Sequence, residues 1–535
     1  MLSSAVEEHI LWWRDEISKV EFTGAHPIVL AGVLLLLWRL WRFTINPALH
    51  PSEPKEVPYW IPFVGHAVSY VRDSFKTITF GREYFRNDRK PFALNLAGEK
   101  LYIITGPADV SVAYKNTATL TMDIFLQELM KGFEISPAAI GKMYWHPGSD
   151  GSGQTLLSPN PHRKSLVHLT TDLYRQQLHP GEKMETLGNL VCDHISMYLS
   201  WNNMTGPEYV VAEGNDFKDI SLLHLCEHVL LNAATRSFFG DKLLEIDPDM
   251  LKSFLQYDGL SWKLMYRLPT FLAKDMHGAK HRLIRALEIY FSLPKDERPG
   301  ANWFMQTQEM EQRALGVEVK DMAKLVAMIY WVINTNAYKL CFWMLSYLYH
   351  HPSSPSIRGP IEAELRASFD SQGSLDLAYL QNKTPYLNAL YLESLRLTNS
   401  SASARFIKED TQVGGFTLRA GNKLLIPYRQ LHLNAGIFGE DANEFDLNRF
   451  LKNPKLSHNP SFRPYGGGQT MCPGRFMAKQ EVFAMMAMLA NRYDIEVKSA
   501  SPSQKFPRLD ELKPGIGIMG PVEGEDLILR LRRRT

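Results

Sequence analysis

Cys472 closes a glycine-rich loop, Phe462-Arg-Pro-Tyr-Gly-Gly-Gly-Gln-Thr-Met-Cys472-Pro-Gly-Arg475, and a helix is predicted directly after it. Gly466, Gly467 and Gly468 let the backbone come close to something flat and take positive φ where needed. Pro473 suits the first turn of that helix, where no N–H is required. A thiolate at the helix N-terminus is stabilised by the dipole and by unpaired N–H groups. Sulfur held in this way pushes electron density onto a bound metal.

A second signature precedes the loop. In Tyr391-Leu-Glu393-Ser-Leu-Arg396 the acid and the base are three apart, so on a helix they share a face and can pair. Phe445-Asp-Leu-Asn-Arg449-Phe450 lies between that pair and Cys472. The order of the three segments resembles the cytochrome P-450 family, whose haem loop reads F-x-x-G-x-x-x-C-x-G, with Gly468, Cys472 and Gly474 in the matching positions. Tyr465 stands where phenylalanine is usual, Thr470 where a basic residue often meets a haem propionate, and Leu447 where proline is usual. The resemblance implies haem b as cofactor, Cys472 as the axial ligand of its iron, and Gly468, Gly474 and Tyr465 as shapers of the loop. It implies that Glu393, Arg396 and Arg449 lock the structure behind the haem. A buried three-way charge cluster is costly unless every partner is satisfied. Arg405 and His432 match family positions that face the haem or its propionates, and Arg405 is the candidate for the charge that Thr470 does not supply.

The third segment is the least regular. From about Val317 to Tyr349 the chain reads as one long helix, nearly apolar all round, as expected of a helix through the centre of a domain. Its middle is Trp331-Val-Ile-Asn334-Thr335-Asn336-Ala337, where family members place A-G-x-(D/E)-T, an acid–alcohol pair that relays protons. One register puts Asn334-Thr335 on the acid and alcohol. Anchoring on Trp331 and on Phe342-Trp343 gives another, in which Asn336 takes the acid position and Ala337 the alcohol. This second register is similar to the branch containing prostacyclin synthase and the bile-acid sterol hydroxylases, with which Thr470 and Cys472-Pro-Gly also agree. In either register the segment holds no carboxylate, and an asparagine holds a water but releases no proton. The branch contains oxygen-inserting enzymes fed by NADPH through a reductase, and enzymes that rearrange a substrate peroxide without NADPH. The first reading is preferred, with the second as its alternative.

Around these residues the sequence predicts a mainly α fold with small β-sheets. A chain of 535 residues with 45% hydrophobic content buries a large core. A net charge of +2 gives no bulk attraction to nucleic acid. Cys192, Cys226, Cys341 and Cys472 are far apart, which fits neither a disulfide framework nor a zinc site and suits a reducing compartment. Hairpin signals run through Gly414-Gly-Phe-Thr-Leu, Ala420-Gly-Asn and Lys423–Pro427. Gly148–Pro161 reads as a surface loop, and Asn203, Asn382 and Asn399 begin glycosylation sequons that stay bare in a cytoplasmic domain.

At the N-terminus, Phe22–Phe43 gives roughly 33 Å of apolar helix at about 1.5 Å per residue, with Arg39 and Arg42 free to snorkel at its far end. Glu7, Glu8, Asp15, Glu16 and Glu21 precede it. Pro47, Pro51, Pro54, Pro58 and Pro62 then form a stiff connector. The expected organisation is a luminal tail and transmembrane anchor at 1–45, a proline-rich hinge at 46–62 and a haem-thiolate catalytic domain at 63–535. The resemblance implies a single-pass protein of the endoplasmic reticulum membrane with a cytoplasmic catalytic domain. Its expected partner is NADPH–cytochrome P-450 reductase, for which Lys452, Lys455, Arg463, Arg475 and Lys479 surround the loop. Tyr174–Pro180, Leu260–Tyr266 and Gly515–Gly520 fall where family members line the pocket. The implied substrate is lipophilic, a terpenoid, steroid-like or polyketide-derived scaffold of specialised metabolism.

Overall fold

The computed structural model describes residues 26–149, 155–498, 505–513 and 517–534. The acidic tail before the anchor, part of the Gly148–Pro161 loop, and Gly515 and Ile516 lie outside these residues. The helices that matter for the site are α1 (His26–Leu40), α2 (Leu166–Leu178), α3 (Glu182–Tyr198), α4 (Leu222–Phe239), α5 (Met250–Leu260), α6 (Lys274–Ser292), α7 (Val319–Asn334), α8 (Ala337–Tyr349), α9 (Pro385–Thr398) and α10 (Arg475–Arg492).

Three small sheets flank them. In chain order the strands are β1 (Phe92–Leu96), β2 (Glu99–Ile103), β3 (Leu120–Thr121), β4 (Val210–Glu213), β5 (Phe217–Ser221), β6 (Ala402–Ile407), β7 (Thr411–Val413), β8 (Phe416–Leu418), β9 (Lys423–Pro427), β10 (Tyr493–Val497) and β11 (Ile528–Arg533). The five-stranded sheet runs β1-β2-β9-β6-β3, and its β2–β9 pair is parallel, with Leu101 opposite Lys423. A four-stranded sheet runs β10-β11-β5-β4, and β7 pairs with β8 as a hairpin. Both larger sheets join early and late parts of the chain, so neither half completes its own hydrogen bonding.

The central helical segment is two helices. α7 stops at Asn334 and α8 begins at Ala337, with Asn336 at φ −118° and ψ −38°. Both are almost wholly buried: Trp331 and Trp343 are among the largest fully buried side chains. No proline or glycine causes the break, so its cause lies in side-chain contacts described below. α8 packs against α4, α9 and α10, the last two of which carry Glu393 and follow Cys472.

The anchor is longer than the sequence suggested. α1 continues through a π-helical turn, Trp41–Ile45, into Asn46–Leu49, and so passes Pro47. The wider π-turn just before it accommodates a residue that has no N–H to donate. The stretch Pro27–Leu49 has a mean hydropathy of 1.8 and, among the described residues, is the one helix long and apolar enough to cross a membrane. Arg39 and Arg42 do not hang free. Arg39 donates to the Tyr59 carbonyl and lies 3.8 Å over the Trp60 ring, and Arg42 pairs with Glu56 at 2.7 Å. These contacts tie the helix end to the proline-rich connector.

The Gly148–Pro161 segment is less of a surface loop than predicted: Leu156 and Ser158 are buried, and the Glu311 carboxylate accepts from the N–H groups of Leu157 and Ser158. Asn203 and Asn382 are exposed, whereas Asn399 is buried and has structural partners.

Candidate active site

The Cys472 loop is fixed at several points along its length. His432 Nε2 accepts from the Arg463 N–H at 3.0 Å, Asn399 Nδ2 donates to the Pro464 carbonyl at 2.8 Å, and the Tyr465 hydroxyl meets that of Tyr391. The N–H of Cys472 itself donates to the Tyr465 carbonyl at 3.0 Å. Between these points Gly468 has φ +61°, and a Cβ on it would stand 3.0 Å from the Tyr114 carbonyl oxygen. Pro473 lies just before the helix rather than in its first turn, since Gly474 is the N-cap and α10 starts at Arg475.

The sulfur is electrostatically less favoured as a thiolate than the sequence implied. Burial pushes the Cys472 thiol above its ordinary value; the N–H groups of Gly474 and Arg475 and the Arg475 guanidinium pull it down but do not cancel the burial. A bound metal would reverse this preference, since it deprotonates a coordinating thiol outright. His432 is held neutral: burial, then the charges of Arg396 and Arg429, pull it down to about 3.

Glu393, Arg396 and Arg449 are brought together. Arg396 grips Glu393 with two parallel bonds of 2.7 and 2.8 Å, and both side chains are fully buried. Its remaining donors reach the carbonyls of His432, Ala442 and Glu444. Glu393 Oε1 also accepts from the Asp446 N–H at 3.1 Å and from Arg449 Nε at 3.3 Å. Thr470 is not left without a cation: Arg405 Nη2 donates to its hydroxyl at 2.5 Å. Lys479 faces away from solvent, bonded to Asn388 Oδ1 at 2.8 Å and to the Gln381 carbonyl, and burial pulls it down to about 8. It therefore drops out of the basic surface expected around the loop, whereas Lys452 and Lys455 are exposed.

The three polar residues of the central segment do not satisfy one another. Asn334 Nδ2 donates to the Tyr330 carbonyl one turn back, and its Oδ1 is buried without a partner among the described residues. The Thr335 hydroxyl donates to Asp258, on α5. Asn336 Oδ1 accepts from the Ile518 N–H at 2.8 Å, and a Cβ on Gly517 would stand only 1.7 Å from that oxygen, so residue 517 must be glycine for the two segments to meet. One turn before Asn336, Val332 is 56% exposed although Trp331 and Asn334 beside it are buried, and Ile329 and Ile333 are partly exposed, which marks this as the open face. A carboxylate is thus present beside the break, but it comes from Asp258, which sequence reasoning missed. Of the segments expected to line the pocket, Tyr174 stacks on Phe304 with ring centroids 4.3 Å apart.

The cytochrome P450 family model matches residues 249–517, which includes α5, the broken helix, the charge cluster and the cysteine loop. The chain belongs to the cytochrome P450 family. A cytochrome P450 monooxygenase of Penicillium oxalicum is 25% identical over 91% of this chain and 96% of its own length. A 7-alpha-hydroxycholest-4-en-3-one 12-alpha-hydroxylase of Oryctolagus cuniculus is 24% identical over 94% of this chain and 98% of its own. A P450 monooxygenase of Hypoxylon pulicicidum is 23% identical over 88% and 87%. This P450 is accordingly an oxidoreductase of the monooxygenase type, mainly helical with small sheets, and the family implies a haem-thiolate iron.

The residues fit such a group. Arg405 is 7% exposed, pairs with no carboxylate among the described residues, and is pulled down by burial. A buried cation of this kind suits the anionic edge of a haem. Cys472 meets the same requirement from the other side, as a sulfur whose burial disfavours the free thiolate.

Two predictions follow from this geometry. Arg396→Met leaves Glu393 with Arg449 as its one cation and should cost on the order of 3–5 kcal/mol; haem absorbance per chain in the purified variant should fall to a small fraction of wild type. Glu481, on α10, pairs with no cation among the described residues, and burial pushes its carboxyl up to about 8. Between the ordinary value of 4.5 and about 8 the folded chain holds a proton that the unfolded chain has released, so stability falls as pH rises across that window. Glu481→Gln should melt close to wild type near about pH 5 and clearly above it near about pH 9.

Proposed function

We propose that this protein is a membrane-anchored haem-thiolate monooxygenase in which Cys472 Sγ is the axial ligand of a haem b iron. The observation that carries the reading is the placement of Cys472: a half-buried residue just before α10, its sulfur facing the N–H groups of Gly474 and Arg475, on a loop held by His432, Asn399 and Tyr391. A thiolate-ligated haem supplies the activation of dioxygen, with electrons taken from NADPH through a reductase. Arg405, with Thr470 beside it, would hold a propionate, and Gly468 and Gly474 keep the backbone close to the ring. Glu393, Arg396 and Arg449 hold the frame behind the loop. Lys452 and Lys455, exposed beside it, offer a positive surface to an acidic redox partner.

On the opposite side of the site, the open face of α7 offers Val332 and the partly buried Ile329 and Ile333 to a lipophilic ligand. Asn336 is the polar group on that face, and its unshared amide Nδ2 can hold a water without giving up a proton. The hydroxyl of Thr335 is committed to Asp258 and Asn334 to its own helix, so the register with Asn336 in the acid position is preferred. Relatives named as hydroxylases of a cholestenone and as fungal monooxygenases favour insertion of one oxygen atom into a steroid-like or terpenoid substrate over rearrangement of a peroxide.

The helix Pro27–Leu49, about 35 Å at 1.5 Å per residue, would cross the endoplasmic reticulum membrane once and leave the catalytic domain in the cytoplasm. The catalytic domain then begins after the connector, near residue 63.

Cys472→Ala should lose the long-wavelength carbon-monoxide band of a thiolate-ligated haem while the chain still folds; an unaltered band would remove Cys472 from the ligand role. Deleting residues 1–49 should release the protein from membranes into a high-salt wash that wild type resists. Retention of the truncated chain would assign membrane binding to exposed apolar side chains such as Trp60, Phe63 and Phe271.

A further inference from the structure

Asp258 sits on α5 and accepts four hydrogen bonds at one buried carboxylate. Two come from residues before the break in the central helix, Trp331 Nε1 at 2.9 Å and the Thr335 hydroxyl. Two come from residues after it, the Tyr338 hydroxyl at 2.9 Å and Lys339 Nζ at 2.6 Å. An ionised carboxylate has about four lone-pair sites, so this one is filled. Asp258 and Lys339 also form an ion pair with little exposure, and breaking such a pair by removing one member is far costlier than removing both.

The consequence is mechanical. In an unbroken helix the Thr335 hydroxyl would bond to the Trp331 carbonyl one turn back, as threonines in helices do. Here it reaches Asp258, while the Thr335 N–H keeps its bond to Trp331 at 3.0 Å. The next residue, Asn336, leaves helical geometry, and α8 restarts with Tyr338 and Lys339 on the same carboxylate. The departure turns Asn336 Oδ1 onto the Ile518 N–H, across the gap that Gly517 leaves. Were the four donors to lose their common acceptor, winding the break into a continuous helix would satisfy Thr335 and carry the Asn336 amide off Ile518.

We propose that Asp258 is a positioning residue: by gathering donors from both halves of the broken helix it sets the direction of the Asn336 amide on the open face toward the haem. The inference rests on the reading of Asn336 given above, and it ties α5 to the reaction site although Asp258 itself touches no substrate.

The test uses the full-length, haem-loaded protein without substrate, with carbon monoxide as the probe and the infrared C–O stretching band as the readout, since that band responds to polar groups beside the bound gas. Asn336→Ala should shift the band. Asp258→Leu/Lys339→Met, which removes the ion pair as a unit and the common acceptor with it, should shift it in the same direction. The variant combining all three changes should shift it no further, because both routes remove the same amide. If that double variant fails to take up haem, Thr335→Val decides: it deletes one of the four bonds with little change of shape and should give a partial shift of the same sign. A shift with Asn336→Ala and a wild-type band in the Asp258 and Thr335 variants overturns the role of Asp258 alone. A band that Asn336→Ala leaves in place overturns the placement of Asn336, and the role of Asp258 with it. Additive shifts show that Asp258 acts on the site by another route and also overturn the proposal.

Discussion

The guanidinium of Arg396 has five N–H donors, and the structure gives all of its nitrogens protein acceptors: both oxygens of Glu393 and the carbonyls of His432, Ala442 and Glu444. A fully buried charge is tolerable only on such terms. The acceptors lie on three stretches of chain, so satisfying one side chain fixes α9, the short helix Tyr428–His432 and the segment leading to Arg449 relative to one another. The constraint passes on through His432. Arg396 holds its carbonyl while its ring accepts from the Arg463 N–H at the entrance to the cysteine loop. Because the ring stays neutral down to about pH 3, that bond does not change with protonation in any ordinary condition. The position of Cys472 thus depends on a salt bridge that never touches it.

The other side of the site is organised by the same rule applied to a carboxylate. Asp258 takes four donors as Arg396 gives five, and in both cases the buried charge orders segments that have no regular hydrogen bonding between them. The two clusters differ in what they leave behind. Around Arg396 the backbone is fixed and closed. Around Asp258 a helix is interrupted, and an interrupted helix has free backbone groups and one side chain, Asn336, outside the repeat. α8 joins the two, packing on α9 and α10 at one end and carrying Tyr338 and Lys339 at the other.

The parts legible in the sequence are those whose chemistry is local. The loop around Cys472 was readable because glycines, a cysteine and a helix start fall within a few residues, whereas its role as a ligand rests on the family resemblance. Glu393 and Arg396 were readable because three-residue spacing puts them on one face, and Arg449 because the family order supplied it. The hairpin of β7 and β8 followed from its turn residues, whereas β9, expected to pair back across Ala420-Gly-Asn, instead lies between β2 and β6 in the larger sheet. Asp258 was not readable: it is an ordinary acidic residue on an amphipathic helix, and its four partners are all more than seventy positions away. The break at Thr335-Asn336 was hidden for the same reason, since the residues that cause it are not in the segment that breaks. Pro47 misled in the opposite sense, because a π-helical turn let the helix pass a residue that usually ends one. Lys479 counts toward a basic partner surface by sequence position alone, and its bonds to Gln381 and Asn388 take it out of that surface.

Uncompensated buried charges distinguish cofactor-binding positions from purely architectural ones. Glu393, Arg396 and Asp258 are buried and completely paired by the protein, so nothing further is needed for the fold to accept them. Arg405 is buried with a hydroxyl and a carbonyl as its partners, and Cys472 is half-buried where its ionised form is disfavoured. On the proposed reading a haem would meet both, its iron taking the sulfur and a propionate carboxylate lying beside the arginine. Binding free energy gained this way is also folding free energy, because the unfolded chain has no such site to offer. Glu481 shows the alternative outcome: a buried carboxyl for which neither protein nor cofactor supplies a cation keeps its proton instead.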